Sequence, residues 1–135
     1  MFSVIFPGQG SQLVGMCSEF YAKHNIVKNI FNEADEILQY SLSKTILEGP
    51  AEELNKTEFT QPAIFLASYS IYKLVSEEFN INLHKAKYFA GHSLGEYSAL
   101  ACSGALDFAE TLKILNKRGK AMQSAVPDNA GGMLV

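Results

Sequence analysis

The chain has 135 residues, 47% of them apolar, and 11 basic against 14 acidic side chains leave a formal net charge of −3, which is the material of one ordinary globular domain. No run of about 18 apolar residues occurs, and Met1-Phe2-Ser3-Val4 carries no basic lead before Pro7-Gly8, so a membrane span and a signal peptide are excluded and a cytoplasmic location is expected. A mildly acidic chain without a Lys/Arg stripe is a poor partner for nucleic acid. Cys17 and Cys102 alone furnish neither a four-ligand metal site nor a disulfide framework, so reduced thiols and no metal or cofactor are expected.

In chain order, Phe2-Ser3-Val4-Ile5-Phe6 reads as a buried strand stopped by Pro7-Gly8. Ile26, Ile30, Phe31, Ala34, Ile37 and Leu38 recur at helical spacing after a candidate N-cap, Asn25. Pro50 stands at the first position of a short helix with acids in its first turn. Thr60 is the expected cap of another helix, with Pro62 near its start and Ile64, Ala67, Ile71, Leu74 and Val75 as its apolar stripe. Lys87-Tyr88-Phe89-Ala90 reads as a second strand, and Asp107 with Glu110 as a capping box for a helix running to about Ala125. Strands alternating with helices predict a parallel α/β sheet with helices on both faces. Beyond it, Pro127-Asp128-Asn129-Ala130-Gly131-Gly132 reads as a loop, and Met133-Leu134-Val135 opens a strand without a partner, so the chain is expected to be a piece of a longer protein.

Between the second strand and the small-residue stretch Glu96-Tyr97-Ser98-Ala99-Leu100-Ala101 lies Gly91-His92-Ser93-Leu94-Gly95, a G-x-S-x-G pattern in the setting of a nucleophile elbow. Glycines around Ser93 permit the sharp turn that lifts its hydroxyl clear of the sheet. The following helix aims its free N–H groups, the Leu94 N–H first, at an oxyanion beside Ser93. The same pentapeptide also serves as a plain structural turn. A second glycine-rich turn, Phe6-Pro7-Gly8-Gln9-Gly10-Ser11-Gln12, follows the first strand and exposes Gln9 at a strand's carboxyl end, where open α/β sheets bind ligands. It matches neither a dinucleotide fingerprint nor a P-loop; an oxyanion donor and a structural turn are the two readings open to it.

These two turns, together with Gly49-Pro50-Ala51-Glu52-Glu53-Leu54, Thr60-Gln61-Pro62-Ala63, the continuation Glu96-Tyr97-Ser98-Ala99-Leu100 and Lys117-Arg118-Gly119 with Met122-Gln123, resemble the N-terminal part of the malonyl-CoA:acyl-carrier-protein transacylase family of fatty acid synthesis, related to the acyltransferase domains of polyketide synthases. The resemblance covers essentially the whole chain. It implies an α/β-hydrolase-like large subdomain over 1–125, with 126–135 leading into a ferredoxin-like small subdomain that lies beyond the chain.

The activity implied is a ping-pong exchange: Ser93 takes malonyl from malonyl-CoA as an ester and passes it to the phosphopantetheine thiol of acyl carrier protein, with the Gln9 and Leu94 backbone N–H groups holding the oxyanion. Arg118 is the position that grips the malonyl carboxylate, since a planar guanidinium matches it with two parallel hydrogen bonds. Gln61 and His92 are implied as pocket residues, His92 being poorly placed to act as the base of its own neighbour. The family's general base is a histidine from the second half of a longer chain, and His24, His84 and His92 do not match it. The 135 residues alone are therefore expected to turn over little or not at all. Two other classes share parts of this pattern: a serine esterase or thioesterase, which passes the acyl group to water, and a module that holds acyl-CoA or carrier protein without catalysis.

Overall fold

The computed structural model describes residues 1–125; the loop and strand expected over 126–135 lie outside the described residues. In order come strand β1 (Ser3–Phe6), helices α1 (Ser18–Lys23), α2 (Asn25–Leu38), α3 (Leu42–Glu48), α4 (Ala51–Leu54) and α5 (Thr57–Glu77), a 3-10 turn at Leu83–Lys85, strand β2 (Tyr88–Gly91), and helices α6 (Leu94–Cys102) and α7 (Phe108–Ala125). β1 and β2 pair in parallel, from Ser3 opposite Tyr88 to Phe6 opposite Gly91. Both strands therefore end level, and each delivers its glycine-rich turn to the same, carboxyl end of the sheet.

The α/β class agrees with the alternating pattern, but the helices carry most of the core. Phe31, Leu42, Ile46, Phe65, Leu66, Leu94, Leu112 and Leu115 are fully buried in one cluster. α5 lies at its centre, packed against α2, α6 and α7. A smaller cluster joins Phe6, Val4 and Phe89 of the sheet to Tyr72, Ala99 and Cys102 of α5 and α6. Its opposite face, with Ser3, Ile5, Tyr88 and Ala90, is exposed. Among the described residues the sheet thus has two strands and is covered on one face, not both.

The starts of α2, α4 and α5 depart from the expected caps, and at α5 a tertiary partner does the capping. α2 begins with Asn25 inside it and His24 as its N-cap. Pro50 is the cap of α4 rather than its first residue, its carbonyl accepting the Glu53 and Leu54 N–H groups at 3.1 Å each. α5 starts three residues before Thr60: Gln123 Oε1 of α7 accepts the Thr57 N–H at 2.9 Å, and Thr60 Oγ1 donates to the Leu54 and Lys56 carbonyls from inside the helix. Pro62 is thereby accommodated one turn further in than its usual place. At α7 the Asp107 half of the expected capping box forms, its Oδ1 accepting the Glu110 N–H at 3.1 Å.

Candidate active site

Ser93 sits at the step from β2 into α6 with φ 54° and ψ −114°. A side chain other than glycine's in this region is strained and is held there only by its surroundings. Those surroundings are steric. A Cβ on Gly91 would stand 2.0 Å from the Gly95 carbonyl carbon and oxygen, and a Cβ on Gly95 would stand 2.6 Å from the Phe6 carbonyl oxygen and 2.8 Å from that of Pro7. Only glycine at both positions lets the chain fold back this tightly and lets α6 lie directly on the end of β1. The Ser93 hydroxyl is consequently carried on an exposed turn at the α6 N-terminus, and the Leu94 N–H, first in the helix, has no intrahelical acceptor.

The turn after β1 packs against this elbow. A Cβ on Gly8 would meet His92 Nδ1 at 2.6 Å and the His92 carbonyl at 2.9 Å, so the exposed His92 ring lies against the Gly8 backbone. Gln9 follows on the same turn, half-buried, its Nε2 donating to Thr57 Oγ1 at 3.2 Å. The first turn of α5 thus anchors the Gln9 turn, and α7 anchors that turn of α5 through Gln123.

Arg118 of α7 closes the site from the other side. Its Nη2 donates to Ser93 Oγ at 3.2 Å and its Nη1 to Gln61 Oε1 at 2.5 Å. Its guanidinium carbon stands 5.7 Å from the centre of the Tyr97 ring. Gln61 is fully buried on α5, and its Nε2 points at Met122 Sδ, 3.1 Å away. No acidic side chain pairs with Arg118 among the described residues. Ser93, Arg118 and Gln61 are therefore in one contact chain, while Gln9, Leu94 and His92 share the elbow and the turn packed on it.

Tyr97 and Met122, which the sequence reading gave no role at the site, lie four residues, one helical turn, after Ser93 and Arg118 respectively, a spacing that could have signalled them. Thr57 had no such signal and Gln123 only its place in the motif Met122-Gln123, because their roles come from the meeting of α5 and α7. No histidine or carboxylate bonds to Ser93 among the described residues. His24 instead faces Glu78, and His84 lies against Tyr72. Burial pushes the free thiols of Cys102 and Cys17 up to about 12 and about 11, which leaves neither a nucleophile at neutral pH. No group of side chains suited to holding a metal ion occurs among the described residues, and no described helix is long and apolar enough to cross a membrane.

A serine held at strained φ between a parallel strand and a helix N-terminus is the geometry of a nucleophile elbow, the device of α/β acyl-transfer and hydrolytic enzymes. The chain belongs to the Acyl transferase domain family, whose pattern it matches over residues 3–135. It is 49% identical over 132 residues to a malonyl CoA-acyl carrier protein transacylase of Haemophilus influenzae, covering 98% of this chain and 42% of that protein. A Bacillus subtilis protein of the same name is 46% identical over 129 residues, covering 96% and 39%. Among solved structures, an acyl carrier protein S-malonyltransferase from Vibrio cholerae superposes with a TM-score of 0.87 at 44% identity, over 95% of this chain and 41% of that one. A malonyl-transacylase in complex with a type II PKS acyl-carrier protein gives 0.84 at 45% identity, over 93% and 40%. This chain spans about 42% of the length of the first of these relatives.

Proposed function

We propose that the chain is the nucleophile-bearing part of an enzyme that moves malonyl from malonyl-CoA to the phosphopantetheine thiol of acyl carrier protein, in fatty acid synthesis. In this reading residues 1–125 belong to an α/β-hydrolase-like large subdomain, and 126–135 lead toward a ferredoxin-like small subdomain supplied by the rest of the protein. Ser93 Oγ attacks the malonyl thioester carbonyl, the Oγ–C bond forms and the C–S bond breaks. The serine proton passes through a base to the departing CoA sulfur. The carrier-protein thiol then attacks the ester, and the proton returns to Ser93. The Gln9 and Leu94 N–H groups hold the oxyanion in both halves, at the positive end of α6. Arg118 binds the malonyl carboxylate, with His92 and Gln61 bordering the pocket. The base is a histidine that this chain does not contribute. All of this chemistry takes place without a cofactor.

The observation that carries the reading is the guanidinium of Arg118, 3.2 Å from Ser93 Oγ and without an acidic partner among the described residues. A fixed cation next to a nucleophilic serine suits an acyl group with a free carboxylate, and does nothing for an ordinary ester. The test is intact-mass spectrometry after mixing malonyl-CoA with the full-length protein and with the 135-residue chain. The full-length protein is expected to gain one malonyl adduct that Ser93→Ala abolishes and carrier protein removes, while the chain alone gains little or none. An adduct that survives Ser93→Ala overturns the nucleophile; adduct loss to water at the same rate with or without carrier protein makes the enzyme a hydrolase.

A further inference from the structure

Arg118 has two hydrogen-bond acceptors, and both are neutral: the Ser93 hydroxyl and the Gln61 side-chain carbonyl. A guanidinium only donates, so it dictates which end of the Gln61 amide faces it, and the amide N–H₂ is left to a thioether, Met122 Sδ, which accepts weakly. Gln61 is fully buried, and α5 fixes it from below while Arg118 crosses over from α7, 57 residues away in sequence. The usual partner of a half-buried arginine is a carboxylate, because it matches the charge as well as the fork. Here the shape of that carboxylate is present and its charge is not.

We infer that Gln61 is a positioning residue whose neutrality sets acyl-group selection: it aims Arg118 at Ser93 yet leaves the positive charge to be matched by a carboxylate that arrives with the substrate. A glutamate in its place is the same size and accepts the same hydrogen bond, but it satisfies Arg118 internally. The site is then as well balanced with an acetyl group as it was with malonyl, and the malonyl carboxylate meets a second negative charge. A neutral acceptor keeps the fork oriented, which spares the long side chain the rotamer freedom it would otherwise lose on binding, and keeps the charge available. This inference rests on the malonyl-transfer reading of Ser93 and Arg118.

The test uses the full-length protein with equimolar malonyl-CoA and acetyl-CoA, reading the ratio of the two Ser93 adducts by intact mass and the kcat and KM for each thioester separately. Gln61→Glu is expected to lower kcat/KM for malonyl-CoA by about 100-fold, in keeping with the coupling of a close charge pair. It should lower acetyl loading far less, so that the malonyl-to-acetyl ratio falls at least tenfold. A ratio that falls by less overturns the inference. Gln61→Leu, which stays neutral and removes the acceptor, tests the aiming role independently: KM for malonyl-CoA should rise at least fivefold with little change in KM for acetyl-CoA, and equal changes for both thioesters overturn that role. A general loss of packing moves both substrates together and leaves the ratio where it was. If the wild-type full-length protein forms no malonyl-Ser93 at all, the malonyl-transfer reading itself has failed, an outcome separate from an unchanged ratio in Gln61→Glu.

Discussion

Arg118 is held from three directions, by the Gln61 carbonyl, the Ser93 hydroxyl and the face of Tyr97. Each depends on a flat, forked cation: two nitrogens serve two acceptors at once while the plane of the group lies near a ring. Lysine keeps the charge and loses the fork. An ammonium reaching for Gln61 leaves Ser93, and one reaching for Ser93 leaves the buried Gln61 carbonyl unpaired, at a cost of about 1–3 kcal/mol. Arg118→Lys in the full-length protein is therefore expected to lower kcat/KM for malonyl-CoA by about 10- to 100-fold while thermal unfolding shifts little, because the site opens to solvent where the ammonium can hydrate. Steady-state kinetics beside a melting curve checks this; a variant within threefold of wild type removes the bidentate role.

At the scale of elements, the site is built where α5 and α7 meet. Gly119 of α7 lies so close to the start of α5 that an added Cβ would be 2.7 Å from the Thr57 carbonyl oxygen and 2.8 Å from the Glu58 Cα. Both are backbone atoms, so the helices must part. Gly119→Ala is expected to destabilise by about 1–3 kcal/mol, the usual cost of overpacking, despite alanine's better helix propensity. Asp107→Ala, which removes only the cap at the far end of the same helix, should cost about 1 kcal/mol. Urea midpoints rank the two, and a Gly119→Ala protein as stable as wild type means that the seam is looser than its contacts imply. Sequence reading was strong where the signal is local. The β1 and β2 runs, the glycines of the elbow and the Asp107 cap announce themselves within five residues. It missed α1 and α3, six and seven residues long, because less than two turns gives helical periodicity too little length to register. It misplaced the start of α5 because Pro62 usually marks a first turn, whereas here Gln123 from another helix supplies the cap. For the same reason the link from Gln61 to Arg118 was invisible to spacing, and likeness to a family put both residues at one pocket without pairing them.

For the whole molecule, the buried acids give folding a defined alkaline limit. Burial raises the Cys102 thiol from 9.0 to about 12 and the Cys17 thiol from 9.0 to about 11. Burial first, then the nearby Glu58 and Asp35, raises the Tyr40 hydroxyl from 10.0 to about 12. Tyr69 and Tyr72 are raised as well, again chiefly by burial. In every case the folded state holds its proton more tightly than the unfolded chain does. Below about pH 9 both states are protonated at these groups and the full stability is present. As the pH climbs from there, the unfolded chain ionises first and binds fewer protons, so stability falls with pH until the folded values near 11 to 12 are passed. The urea midpoint of the reduced protein is therefore expected to decline steadily between pH 9 and pH 11, with a shallower decline in Cys102→Ala after allowance for its lower starting stability. The thiol of Cys102 packs at the C-terminal end of α6, in the cluster with Phe6, Tyr72 and Ala99 that joins α6 to α5 and the sheet. Ionising that thiol should loosen the packing of α6 on α5 along with the fold, so alkylation of Cys102 by iodoacetamide should be negligible at pH 7.5 and rise in step with the loss of stability. Rapid labelling at pH 7.5 in the folded protein would instead mean that the junction opens on its own.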